Sequence, residues 1–150
     1  MANVSDVASY ILAKKGSMSA MKLQKLVYYS QAWHLVFDGD KLFDSEIQAW
    51  ANGPVVRSLY REHRGLFTVS DVNFEGSGDN LAEAEKLTID AVLDAYSEMT
   101  AGELSNLTHS EPPWLEAREG VPIGARSETP ISEATMLEFY QSQLDASNAR

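Results

Sequence analysis

Three histidines, His34, His63 and His109, carry the side chains that titrate closest to neutral pH, and each falls on a separate predicted element. No two share the spacing of a helical metal pair such as HExxH, so any three-histidine metal site would have to be assembled by tertiary structure. His109 has the most suggestive setting, in THSEPPW at residues 108–114, where Glu111 and two prolines follow it. Two roles fit. One is a base oriented by a carboxylate; the other, which needs fewer coincidences, is an imidazole that caps the preceding helix or satisfies the backbone of a tight loop. His34 is expected to be partly covered on its helix, and His63 to lie in solvent near a helix end.

Other reactive arrangements are missing from the sequence. There is no cysteine, which removes thiolate nucleophiles, disulfides and cysteine metal ligands. No serine has the setting of a nucleophile elbow, and no two acids are placed by sequence at catalytic separation. GSGD at 76–79 lacks the lysine of a phosphate loop and reads as a connecting loop. The sequence therefore assigns no catalytic residue, no metal ligand and no cofactor.

What remains is a set of charged and aromatic side chains suited to recognition. Lys22, Lys25, Arg57, Arg61 and Arg64 would form one positive patch if the helices carrying them were adjacent, with Tyr28 or Tyr29 nearby. Such a patch could serve a nucleic-acid-associated regulator; equally, the arginines could be the wet face of an amphipathic helix. The net charge of -10 argues against the first use. Residues 1–75 hold eight acids and eight bases, and residues 76–150 fourteen and four, so the whole excess lies in the second half. That field repels phosphate backbones and favours a basic partner surface, or else simply keeps the protein soluble.

The elements that must position these groups are mostly helical. Val4, Val7, Ala8 and Ile11 give a first amphipathic helix over 4–14, closed by Gly16 and Ser17. Ser19 caps a second, from about Ala20 to Phe37, whose apolar residues lie on nearly every side and leave Lys22, Lys25 and Tyr29 on or near a narrow wet strip. Alternation at 47–52 predicts a short strand, paired near Leu42 or with 66–70. Asn52, Gly53 and Pro54 mark a corner, with proline opening a helix that ends near Gly65. Residues 71–79 are expected to be a flexible connection. Asn80 with Glu83, and Thr100 with Glu103, make two capping boxes for further helices. Pro112 and Pro113 then stop regular helix, and Trp114 docks. A short turn and loop lead to a last helix capped by Ser132, fraying over 145–150. The expectation is one mainly α domain over 1–150, with six or seven helices and a small β-hairpin or short sheet. With no positive leader and no run near the roughly 18 apolar residues of a membrane span, it is expected to be soluble and cytoplasmic.

Three of these stretches also match a known pattern. KLQKLVYYSQAW (22–33), QAWANGPVVRSLY (48–60) and LTHSEPPW (107–114), in this order and spacing with ISEATMLEFY near the end, resemble the signatures of the Panacea, or SocA-like antitoxin, domain over about Val7 to Tyr140. The resemblance implies a compact helical protein of bacteria or phages that binds a co-encoded protein toxin and neutralises it without catalysis. Occlusion of the toxin or its presentation to an ATP-dependent protease are the two routes it implies. By matching positions, Leu26, Trp50, Gly53, Pro54, Val55, Pro113 and Trp114 are expected to be structural. Lys22, Lys25, Tyr29, Arg57, Arg61 and His109 are expected to contact the partner.

Overall fold

The computed structural model describes residues 1–149. Its elements in chain order are α1 (Val4–Lys15), β1 (Met18–Ser19), α2 (Ala20–Asp38), β2 (Ile47–Trp50), β3 (Gly53–Val56), α3 (Arg57–His63), β4 (Thr68–Val69), α4 (Glu83–Tyr96), α5 (Ala101–His109), α6 (Pro112–Ala117) and α7 (Glu133–Asn148). Seven helices and two small antiparallel pairs, β1 with β4 and β2 with β3, thus make a mainly α fold among the described residues.

The ends of α2 are written locally. Ser19 Oγ accepts the Lys22 N–H at 3.1 Å, and Gly39, at φ +72°, returns its N–H to the Leu35 carbonyl at 3.0 Å. Between these caps the helix runs through the centre, packed against α1, α4, α5, α7 and β3. Every side chain from Leu23 to Ala32 is buried. A helix so enclosed must answer its own polar groups, and two glutamines one heptad apart do so. Gln24 Oε1 accepts the Val56 N–H at 2.9 Å while its Nε2 donates to the Val56 carbonyl at 3.2 Å. Gln31 Oε1 accepts from the Leu42 and Phe43 N–H groups at 2.7 and 3.3 Å, and its Nε2 donates to the Phe43 carbonyl at 2.8 Å. Each amide imitates a neighbouring strand and pins a stretch of extended chain to the helix.

Several local expectations are corrected. The strand at 47–50 pairs with 53–56 across a two-residue turn, not with Leu42 or with 66–70; Thr68 and Val69 pair instead with Ser19 and Met18. Pro54 therefore lies in a strand, and α3 starts only at Arg57. The missing proline amide costs nothing there, because its partner Ala49 directs its own N–H to the Thr129 carbonyl at 2.8 Å on the other side. Residues 71–80 are bound rather than loose: Gly76 N donates to Ser5 Oγ at 2.9 Å and Ser77 N to Asp6 Oδ1 at 2.8 Å. A Cβ at Gly76 would collide with the Ser5 backbone, so glycine allows this close approach. Helix α4 is capped by Glu85, which accepts the Ala82 N–H at 2.7 Å, while Asn80 turns to Asp6. Pro112 and Pro113 open α6 instead of only ending α5. Helix α7 continues to Asn148 where fraying was expected from 145; Arg150 lies outside the described residues. The caps at Thr100, with Glu103, and at Ser132 form as expected.

If Gln31 holds the 42–43 segment, Gln31→Leu, which keeps the bulk and removes the amide, strands three backbone groups in the interior. Urea denaturation should show a loss of about 2–4 kcal/mol. A change below about 0.5 kcal/mol would mean that water or relaxed backbone replaces the amide.

Candidate functional site

The turn of the β2–β3 hairpin sits on α5 and α6. Ser105 Oγ donates to the Asn52 carbonyl at 2.6 Å, Trp114 Nε1 to the Trp50 carbonyl at 2.9 Å, and Arg118 Nη1 to the Ala49 carbonyl at 3.0 Å. The His109 ring stacks on Trp114 at 4.0 Å, and the Arg118 guanidinium lies 5.1 Å from the same indole. Beneath the turn passes the Lys25 side chain. Gly53, at φ +123°, leaves it room: a Cβ there would collide with Lys25 Cε and come within 3.1 Å of Thr108 Oγ1. The three signature stretches thus meet at one place, with Lys25 from the first, Trp50 and Gly53 from the second, and Thr108, His109 and Trp114 from the third.

Lys25 is 1% exposed, and among the described residues no carboxylate lies within 4.0 Å of its ammonium. Burial alone lowers its pKa from 10.5 to about 8. Burial, then the positive charges of Lys25 and Arg118, also hold His109 below the usual imidazole range. His109 Nε2 is buried and has no hydrogen-bond partner among the described residues. Its expected capping role is corrected accordingly, because Ser110 Oγ, not the imidazole, donates to the Leu107 carbonyl at 2.7 Å. His63, expected in solvent, is buried, and its Nε2 lies 3.0 Å from Gln24 Nε2. The Val56 bond fixes the Gln24 amide so that its NH2 faces the ring. His63 Nε2 therefore accepts, and the imidazole is neutral, in keeping with a pKa lowered by burial.

A second polar group lies deeper. Tyr29 and Tyr140 both donate to Glu111 Oε1, at 2.7 and 2.9 Å, and the Tyr28 hydroxyl lies 3.0 Å from that of Tyr140. Since the Tyr140 proton goes to the carboxylate, Tyr28 donates to Tyr140. Burial raises the Glu111 pKa, and the two phenol bonds pull it part of the way back. Tyr29 also stacks on Tyr96 at 4.2 Å, whose hydroxyl accepts from Trp33 Nε1 at 2.9 Å. Helices α2, α4 and α7 are joined through this network to the loop before α6. The sequence reading singled out Tyr29 but missed Glu111, Tyr96 and Tyr140 as its partners. Nothing local in the sequence joins residues so far apart.

The expected contact residues separate on this frame. Lys25 and Tyr29, expected on the wet strip of α2, are enclosed in the core, and Lys22 is half-buried with its Nζ on the Ser97 carbonyl at 2.6 Å. No acid from residues 76–149 answers either lysine within ion-pair distance. Arg57 and Arg61 are exposed, Arg57 paired with Glu128 at 3.2 Å, and His109 is half-buried. Of the residues expected to be structural, Leu26, Gly53, Pro54, Val55, Pro113 and Trp114 are buried and Trp50 is half-buried. His34 is buried, with Nδ1 2.8 Å from Thr88 Oγ1. Among the described residues no group of three or more His, Asp or Glu side chains is arranged to hold a metal ion, and no helix is long and apolar enough to cross a membrane.

Fold and site together define a helical scaffold in which a central buried helix, a hairpin turn and a proline-initiated helix are locked by their own polar residues. The family model for the SocA-like antitoxin, Panacea domain, matches residues 23–115, and the chain belongs to that family. The match takes in the first-to-third signature block from α2 to α6 and is narrower than the resemblance read from Val7 to Tyr140. No curated protein and no solved structure gives a significant match.

Lys25 gives a pH test. Between pH 8 and 10.5 the unfolded chain holds a proton that the folded chain has released, so stability rises with pH. Below the range where the buried tyrosines, whose pKa values are raised, begin to oppose this, the gain from pH 8 to about 9.5 should be about 1–2 kcal/mol. Chemical denaturation of Lys25→Met should show that gain abolished. Equal slopes in the two proteins would mean that the ammonium is solvated or paired in the folded state.

Proposed function

We propose that this protein is an antitoxin that binds a co-encoded protein toxin and blocks it. The observation that carries the reading is the family match over residues 23–115, the span that holds the hairpin turn and the Lys25, Ser105 and Trp114 side chains packed against it. The acidic second half supports a protein partner with a basic surface. Direct occlusion is the simpler mechanism; presentation of the toxin to an ATP-dependent protease is the other route consistent with stoichiometric binding. The pairing of Arg57 with Glu128 draws one arginine out of the basic patch that a nucleic-acid role would use. Arg61 is exposed and among the described residues has no ion-pair partner, and we assign it to the margin of the partner surface.

Co-expression with the product of the adjacent gene tests this. The expected result is growth arrest by the neighbour alone, rescue when this chain is co-expressed, and recovery of a stoichiometric complex. A non-toxic neighbour, or a toxic one that is neither rescued nor bound, would overturn the reading. Salt-sensitive binding to DNA or RNA that disappears in the Arg57→Glu, Arg61→Glu double variant would replace it with a nucleic-acid regulator.

A further inference from the structure

On the side of α2 away from the hairpin, Trp33 and Phe37 stack at 5.5 Å and form one wall of an open groove of about 340 Å3. Ala91, Val92, Ala95 and Tyr96 of α4 form its floor, and Leu144 with its neighbours on α7 the opposite wall. Phe37 is 48% exposed, and Ala91 and Ala95 are also exposed, so this apolar surface is not filled by the chain's own side chains. Alanines one turn apart on α4 keep the floor low, while the aromatic side chains of Trp33, Phe37 and Tyr96 supply anchors of the kind that dominate binding surfaces.

No charged side chain lines the groove itself, but among the described residues the helices that frame it end acidic. Asp38, Asp94 and Asp145 lie in the last turns of α2, α4 and α7, and no base occupies any of those turns. Neither residues 87–117 nor residues 127–149 contain a lysine or arginine. Lys22, the base that reaches the end of α4, is held on the Ser97 carbonyl, and Lys41, just beyond α2, is paired with Asp44 and Glu133. The partial negative charge at the C-terminal ends of α2 and α7 adds to the same field.

We propose that this groove receives an amphipathic helix of the partner, its apolar stripe set against Trp33, Phe37, Ala95 and Leu144 and its lysines or arginines drawn by the acidic last turns of the three framing helices. Three helices framing a trough suit a fourth helix, and their acidic excess favours a basic one while repelling nucleic acid and anionic lipid. The inference deepens the toxin-binding reading by naming the surface and chemistry of the contact, and rests on it for the identity of the partner.

The test has two arms, so that the groove and the toxin reading can fail separately. In the first, a synthetic four-turn peptide with leucines at helical spacing and flanking lysines is titrated into the isotopically labelled protein. Resonances of Trp33, Ala91, Ala95 and Leu144 should shift, Ala95→Arg should weaken binding at least about tenfold without lowering the melting temperature, and the same peptide with glutamates should not bind. No shift at the groove, or equal binding of the acidic peptide, would overturn the proposal. In the second arm, Ala95→Arg and Asp94→Lys/Asp145→Lys are compared with wild type for binding to the co-encoded toxin. Weakening of both supports the groove, whereas unchanged affinity overturns it. Failure of wild type to bind the toxin overturns the antitoxin reading and leaves the peptide arm to judge the groove. A dimer of the protein alone that dissociates in Ala95→Arg would overturn the proposal in favour of a second copy as occupant.

Discussion

A helix buried on every side from residue 23 to residue 32 has to find its hydrogen-bond partners there inside the protein, and α2 imposes that condition on everything around it. Its two glutamines satisfy the backbone of segments 42–43 and 56, its two tyrosines reach Glu111 and Tyr140, and its histidine meets Thr88 on α4. Each bond that satisfies α2 also fixes the position of another element. The polar residues of the helix are therefore what orders the apolar core, which by burial alone would tolerate many arrangements. Lys25 is the exception, a buried amine without an acid beside it, and the burial that passes its side chain under the hairpin turn disfavours its charged form and lowers its pKa.

This arrangement moves the question of recognition outward. The signature stretches converge on Lys25, Gly53, His109 and Trp114, yet they do so by packing and by bonds to backbone carbonyls, which is architecture. On the resulting frame the surfaces proposed for a partner are the exposed arginines of α3 and the apolar groove on the opposite margin of α2. A rigid centre with recognition at its edges suits a protein that acts by binding, since the contact surface arrives preorganised and little ordering cost remains to be met on association.

The parts of this fold that were legible in the sequence are those fixed within one helical turn. Ser19, Thr100 with Glu103, and Ser132 cap their helices as their spacing predicts, because a cap involves only residues three apart. Pro54 was misread because its ring fits a helix start and an edge strand equally well locally; the choice is made by Gln24 and Thr129, distant in sequence. Residues 71–79 have the composition of a loose linker, and bonds to Ser5, Asp6 and Glu62 together with the burial of Phe74 make them ordered. Periodicity placed Lys25 and Tyr29 at the margin of α2, but the hairpin and α5 close over Lys25, and Tyr96 of α4, Tyr140 of α7 and Glu111 over Tyr29. The Glu111 network had no local signal: it joins residues 28, 29, 111 and 140, and only the packed structure brings them within hydrogen-bond reach.

The central claim is that α2 is an immobile scaffold and that partner binding takes place around it. Hydrogen exchange followed by mass spectrometry, on the protein alone and in complex with its co-encoded partner, tests this most directly. Amides of residues 23–32 should exchange only through global unfolding, equally slowly before and after correction for the stability gained on binding, while new protection should appear on surface elements. Fast exchange along 23–32 in the free protein, or partner-induced protection concentrated there, would contradict it.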